Sequence, residues 1–266
     1  YDAKDPPDVK AGYGVVGKHI LPRFARRYGA ENVGIYAPVF AREWQPPWEG
    51  LTVVSGLKPD YGEELIQEIY SRFDCNILLM VGDWFPLSIV PDLAAHDAVY
   101  WVQWASVDWL ANVDEVVGKA KFVGKMVPWT NEAKARLASW GVKENVADPI
   151  PLGVEPSIWQ PHPRGAFPQV MQSCGFQDDA MNVLLLAAPQ RRKSVIEQLV
   201  GLRTWMDVHK DVKVRLYLHT HLHGGEVDIE GALKDFKLNE ITNTPDEYVL
   251  SQGGYSEEQM AAVFAS

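Results

Sequence analysis

Hydrophobic and polar positions along these 266 residues switch repeatedly between two periods. Apolar runs of strand length lie at residues 32–36, 51–55, 75–81, 98–103, 121–127, 182–188, 212–219 and 247–250. Between them, apolar residues recur at helical spacing over 15–28, 61–72, 131–140, 194–209, 229–236 and 257–264. Strands alternating with helices predict parallel sheets with crossover helices, an α/β fold of Rossmann-like type. A stretch between Asp148 and Asp179 breaks the alternation with Pro149, Pro151, Pro156, Pro161, Pro163 and Pro168. The predicted organisation is therefore two Rossmann-like domains, 1–155 and 181–266, joined by a connector over 156–180. In such an arrangement the ligand belongs in the cleft between the domains, at the carboxyl ends of the strands. The polar, proline-bearing residues 1–10 leave the first domain without its usual opening strand.

Charge and composition narrow the function classes. Lys plus Arg number 25 against 35 Asp plus Glu, a formal net charge of −10, which argues against a general nucleic-acid binder. No apolar run approaches the ~20 residues of a membrane span, and none of the helical segments has a basic face for docking on anionic lipid. The chain opens on Tyr1 with no signal-peptide pattern. The two cysteines, Cys75 and Cys174, stand far apart and outside any metal-binding spacing. They read as buried thiols of a reducing compartment, and the predicted location is cytoplasmic. Five of the ten tryptophans (Trp84, Trp101, Trp104, Trp109 and Trp129) fall in one region. That clustering suits a sugar-stacking pocket, but core packing is the commoner use of such residues.

Against this acidic background one loop is basic. The apolar run 183–188 breaks at Pro189 into Gln190, Arg191, Arg192 and Lys193, and Val195, Leu199, Leu202 and Met206 then form one helical face. Free N–H groups at a helix start beside guanidinium and ammonium heads suit a phosphate or diphosphate; the plainer alternative is a solvated helix start that happens to be basic. Gly12, Tyr13 and Gly14 open another helical segment and either let backbone approach a ligand or form an ordinary turn. Asp83 and Asp108 each follow a predicted strand and are candidates to face the cleft, with a helix N-cap the competing role for Asp108. His219, Thr220, His221 and His223 permit another reading. Three imidazoles projecting from one strand face would suit a zinc-dependent hydrolase, although Gly224 and Gly225 interrupt the extended geometry.

Taken together, several segments resemble the retaining GT-B glycosyltransferases of family 4. Gly12-Tyr13-Gly14-Val15-Val16 is similar to that family's N-terminal Gly-rich loop. The run from Val127 through Thr130 and Leu137 to Gly141 is similar to its strand, Ser/Thr, helix, Gly segment. Pro149-Ile150-Pro151-Leu152-Gly153-Val154-Glu155, with Trp159-Gln160-Pro161, resembles its interdomain P-x-G-V-D-x-x-x-F-x-P pattern. Arg192 and Lys193 fall where the family holds the donor diphosphate.

The resemblance implies a GT-B architecture and transfer of a sugar from a nucleotide-sugar donor to a saccharide or lipid-linked acceptor with retention. It implies Arg192, Lys193 and Asp108 as catalytic residues, and Gly12, Tyr13, Gly14, Asp83, Arg191, His219, Thr220 and Gly254 as substrate contacts. No Asp-x-Asp occurs, so the leaving diphosphate is expected to be neutralised by side-chain cations, with no metal and no cofactor besides the donor substrate. Family members continue past a segment like 254–260 with two glutamates eight positions apart, and this chain stops at Ser266. The second domain is therefore expected to be incomplete. A non-catalytic nucleotide-binding module and an epimerase of the same fold are the remaining alternatives.

Overall fold

The computed structural model describes residues 12–37, 48–55, 74–82, 100–107, 113–163, 165–223, 225–247, 250 and 254–266. The helix predicted over 61–72 lies outside them. The chain divides into two compact units, Tyr1–Val154 and Glu155–Ser266.

In the first unit, helix Gly12–Tyr28 leads into strand β1 (Gly34–Ala37), followed by β2 (Thr52–Ser55), β3 (Ile77–Val81), β4 (Tyr100–Ala105), helix Val113–Ala120, β5 (Lys125–Pro128) and helix Asn131–Ser139. β1 pairs with β2, and β3, β4 and β5 pair in that order, all in parallel. The Gly12–Tyr28 helix serves both groups of strands. Val16 and Ile20 pack on Val81, Trp104 and Val127, while Leu21 and Ala25 pack on Ile35, Leu51 and Val53. Helix Asn131–Ser139 is bounded as its sequence dictates. Thr130, in extended conformation, accepts the Ala133 N–H at 3.0 Å, and Gly141 beyond its end takes φ +85°.

Trp101 is buried in the core, and Trp104 and Trp129 pack against Val81 and Val127. Trp84 and Trp109 lie outside the described residues. Gln103, fully buried, accepts from Trp101 Nε1 at 3.0 Å and donates to the Gly82 carbonyl at 3.0 Å. Both ends of this buried amide are thereby satisfied, at the point where β3 delivers the chain toward Asp83.

The second unit runs helix Pro168–Ser173, β6 (Met181–Leu186), a 3-10 turn (Arg191–Lys193), helix Val195–Val208, β7 (Val214–His219), helix Ile229–Asp235, β8 (Thr242–Asn243) and helix Glu257–Phe264. Its sheet order is β6-β7-β8, again parallel. Alternate residues of β7 point to opposite faces, and both faces are covered. Leu216 and Leu218 pack with Leu199, Ile229 and Leu238, while Tyr217 packs on the other side with Met171, Cys174, Phe176 and Val263. Each fully buried leucine contributes about 1.5–3 kcal/mol. The proline-rich stretch supplies part of this second face through Met171, Cys174 and Phe176. Cys174 is buried, whereas Cys75 in the first unit is half-buried.

One strand falls elsewhere than its pattern indicates. Of the run read as a strand over 247–250, the described residues Glu247 and Leu250 are helical, and the Leu250 N–H donates to the Asp246 carbonyl at 3.1 Å. Pro245 lacks the N–H that a central strand needs and suits a helix start. The third strand forms ahead of it, at Thr242–Asn243, where Leu238 and Ile241 anchor the chain in the core.

Candidate functional site

The carboxyl edge of the β6-β7-β8 sheet carries both the basic turn and His219. β6 ends in register with β7, Leu186 opposite His219, so the segments leaving these strands start side by side. The segment leaving β6 passes Pro189 and folds into the 3-10 turn Arg191–Lys193, whose three side chains are exposed. Ser194 then takes a left-handed conformation (φ +51°, ψ +39°), without a side-chain capping bond, before the 14-residue helix Val195–Val208. The cations therefore stand on a turn of their own, separated from the helix by a strained residue. The turn is tied down at both ends. Gln198 Nε2 donates to the Lys193 carbonyl at 2.9 Å, and the Arg191 N–H donates to Glu226 Oε2 at 3.0 Å.

Glu226 is the residue that sequence reasoning missed here. Its own N–H donates to the Pro189 carbonyl at 2.8 Å, and Gly225 lies so close beneath Pro189 that a Cβ on it would come within 2.5 Å of that ring. The 225–226 backbone thus braces the turn that carries Arg191, Arg192 and Lys193. Nothing in the periodicity of the chain marks Glu226. Beside the turn, Gln190 Oε1 is buried with no hydrogen-bond partner among the described residues.

The His219 segment is built differently. His219, half-buried at the end of β7, has Nδ1 3.4 Å from the Tyr217 hydroxyl. Tyr217 in turn donates to the Tyr255 hydroxyl at 3.3 Å, and the Tyr255 ring lies 5.1 Å from the His219 ring. Gly254, at φ +73°, turns the chain so that Tyr255 reaches this position. His219 and Gly254, both predicted site residues, are thereby brought together. Burial, then the neighbouring His221, pushes the His219 imidazole below its ordinary value; burial, then the bond to Tyr255, pushes the Tyr217 hydroxyl well above its own. Both groups are consequently neutral near pH 7. Thr220 is buried directly after the strand. Tyr217 had a legible signal, since it sits two positions before His219 in one strand.

The three imidazoles do not converge. His219 meets Tyr217, His221 Nδ1 lies 3.0 Å from Glu247 Oε2, and His223 Nδ1 lies 3.7 Å from Glu230 Oε2. Among the described residues no group of three His, Cys, Asp or Glu side chains is placed to hold a metal ion. The His221–Glu247 contact serves instead as a clasp, reinforced by the Leu222 N–H, which donates to Glu247 Oε1 at 3.1 Å. That bond from His221, then the Leu222 N–H, holds the Glu247 carboxyl below its usual range.

In the first unit, Gly12 and Gly14 fall inside the first turn of the Gly12–Tyr28 helix, and Gly14 is buried. The side chain of Tyr13, and all of Asp83 and Asp108, lie outside the described residues.

No protein-family model matches this chain, and no curated protein matches it in sequence. Among solved structures, it is similar to the UDP-GlcNAc 2-epimerase from Methanocaldococcus jannaschii, with a TM-score of 0.46 and 10% sequence identity over 91% of this chain and 66% of that one. The α/β class of the present chain is carried by its own parallel sheets and the helices that cover them.

Proposed function

We propose that this chain forms the donor-binding body of a glycosyltransferase that moves a sugar from a nucleotide-sugar donor to a saccharide or lipid-linked acceptor, with retention. The observation that carries the reading is the exposed Arg191–Lys193 turn at the carboxyl edge of a parallel sheet, set off by left-handed Ser194 from the long helix that follows. When a glycosyl–oxygen bond breaks, the departing diphosphate gains negative charge, and catalysis requires that charge to be met by fixed positive groups. Arg192 can grip two phosphate oxygens at once, while Lys193 acts as a point charge. Arg191 adds a third cation, and its N–H already holds a carboxylate oxygen in Glu226, a bond of the type a phosphate oxygen would make. Asp108 and Asp83 are assigned to the acceptor and sugar side, and Gly12, Tyr13 and Gly14 to substrate contacts in the first unit.

The test is direct. The full chain is titrated calorimetrically with nucleoside diphosphates, then incubated with a panel of nucleotide sugars while nucleoside diphosphate release is followed, with and without oligosaccharide acceptors. Release that increases with acceptor supports the transferase. Binding without release in any combination assigns a non-catalytic nucleotide-binding module instead, and absence of binding overturns both.

A further inference from the structure

We infer that Tyr217 and Tyr255 fix the tautomer of His219, so that Nε2 is a neutral hydrogen-bond acceptor for a ligand hydroxyl at the carboxyl edge of the second sheet. This assignment rests on the proposed donor site. It identifies His219 as the group that reads the ribose or sugar part of the ligand, leaving the phosphates to the basic turn.

Tyr217 is fully buried, with a hydroxyl that stays protonated, so it has a single proton to give. The relay assigns that proton to the Tyr255 hydroxyl, 3.3 Å away. The Tyr217 oxygen then faces His219 Nδ1 at 3.4 Å as an acceptor, and the contact is a hydrogen bond only if Nδ1 carries the ring proton. A neutral imidazole has one ring proton, so Nε2 is left with a lone pair.

Direction follows from the ring itself. Nδ1 points inward to the buried Tyr217, and Nε2, across the ring, points away from it. Among the described residues Nε2 has no hydrogen-bond partner. The titratable groups around the imidazole are Tyr217 on its own strand, Tyr255 from the segment before the last helix, and His221 from the following loop, itself bonded to Glu247. The diphosphate diester of a nucleotide sugar carries no proton to offer a bare nitrogen, whereas the hydroxyl groups of its ribose and sugar do. An acceptor nitrogen here therefore selects polyhydroxylated chemistry. Tyr217 and Tyr255 act through His219 and are positioning residues.

Two-bond 1H–15N correlation spectra of the histidine-labelled full chain read the tautomer directly, with no ligand present. The expected wild-type pattern for His219 is a protonated Nδ1 and a bare Nε2. In Tyr255→Phe the Tyr217 hydroxyl loses its acceptor, turns to Nδ1, and shifts His219 to the Nε2–H form. Tyr217→Phe, which removes the acceptor for Nδ1–H, shifts it the same way. A wild-type Nε2–H form, or a pattern unchanged in both variants, overturns the relay.

The ligand role is read by titrating wild type and His219→Phe with ADP, UDP, GDP and inorganic pyrophosphate. Loss of about tenfold in affinity for the nucleotides that bind, with pyrophosphate affinity unchanged, is expected. Equal loss for pyrophosphate overturns the hydroxyl assignment. Absence of binding by every probe in wild type overturns the donor site itself, while the tautomer spectra still decide the relay.

Discussion

The carboxylate of Glu226 accepts the backbone N–H of Arg191 at 3.0 Å, across 35 residues of chain, and so places a negative charge against the turn assigned to a diphosphate. An incoming phosphate must share or displace it. Removing the carboxylate frees the donor and lifts a like-charge repulsion. Glu226→Ala is therefore expected to tighten pyrophosphate binding by about 3- to 10-fold, the scale of one charge-assisted hydrogen bond partly exposed to water. Isothermal titration calorimetry measures this; unchanged or weaker binding would show that Glu226 shapes the turn and does not compete for it.

The brace beneath the turn makes a complementary prediction. A Cβ at Gly225 would stand 2.5 Å from the Pro189 ring and 2.7 Å from the Pro189 carbonyl oxygen, which accepts the Glu226 N–H. Gly225→Ala must push the proline, and with it the start of the basic turn. Global stability should fall by about 1–3 kcal/mol, as for other overpacked sites. Pyrophosphate affinity should fall with it in protein that remains folded by circular dichroism. Affinity equal to wild type would separate the 225–226 backbone from the binding geometry.

These two contacts also mark the limit of what the amino-acid sequence conveys. Local devices were legible because they act over a few residues. Thr130 and Gly141 bound one helix, and the Ser256–Gln259 capping box starts another where its apolar spacing indicated. The apolar run at 212–219 marked β7 as a strand, and the basic turn was visible against an acidic chain. The β8 position was not legible, because the apolar residues Tyr248, Val249 and Leu250 outweighed a two-residue strand held mainly by tertiary packing. Glu226 and Tyr255 were not legible either. Their partners, Arg191 and Tyr217, lie 35 and 38 residues away, beyond the reach of any helical or strand period.

Burial of His219 has a consequence for stability. Its imidazole is held below the ordinary 6.5 by burial first and by His221 second. As pH falls through 6.5, the unfolded chain takes up a proton that the folded chain resists. The stability associated with neutral His219 is therefore complete above 6.5 and declines as pH drops from there toward the folded value. One proton corresponds to a slope of at most about 1.4 kcal/mol per pH unit. Urea unfolding at several pH values from about 7 to about 5 should show this decline in wild type and a shallower one in His219→Gln. Identical slopes would place the titration elsewhere in the chain.

Two sets of cations flank the same sheet at opposite edges, and they should behave differently. Arg192 and Lys193 stand exposed beyond the carboxyl end of β6, whereas Lys213 precedes β7 at the amino edge and pairs with Asp179 at 2.8 Å. If a leaving diphosphate is met at the carboxyl edge, Arg192→Ala and Lys193→Ala should each lower kcat/KM with a nucleotide-sugar donor by on the order of 10²-fold. Lys213→Ala removes the same unit of charge from the chain and should leave kcat/KM within about twofold, since exposed pairs contribute little beyond their own position. Raising salt should weaken donor binding in wild type and less so in the Arg192 and Lys193 variants, whose favourable charges are already gone. Equal losses from all three substitutions would indicate a general effect of net charge, and no loss from Arg192→Ala or Lys193→Ala would remove the turn from the mechanism.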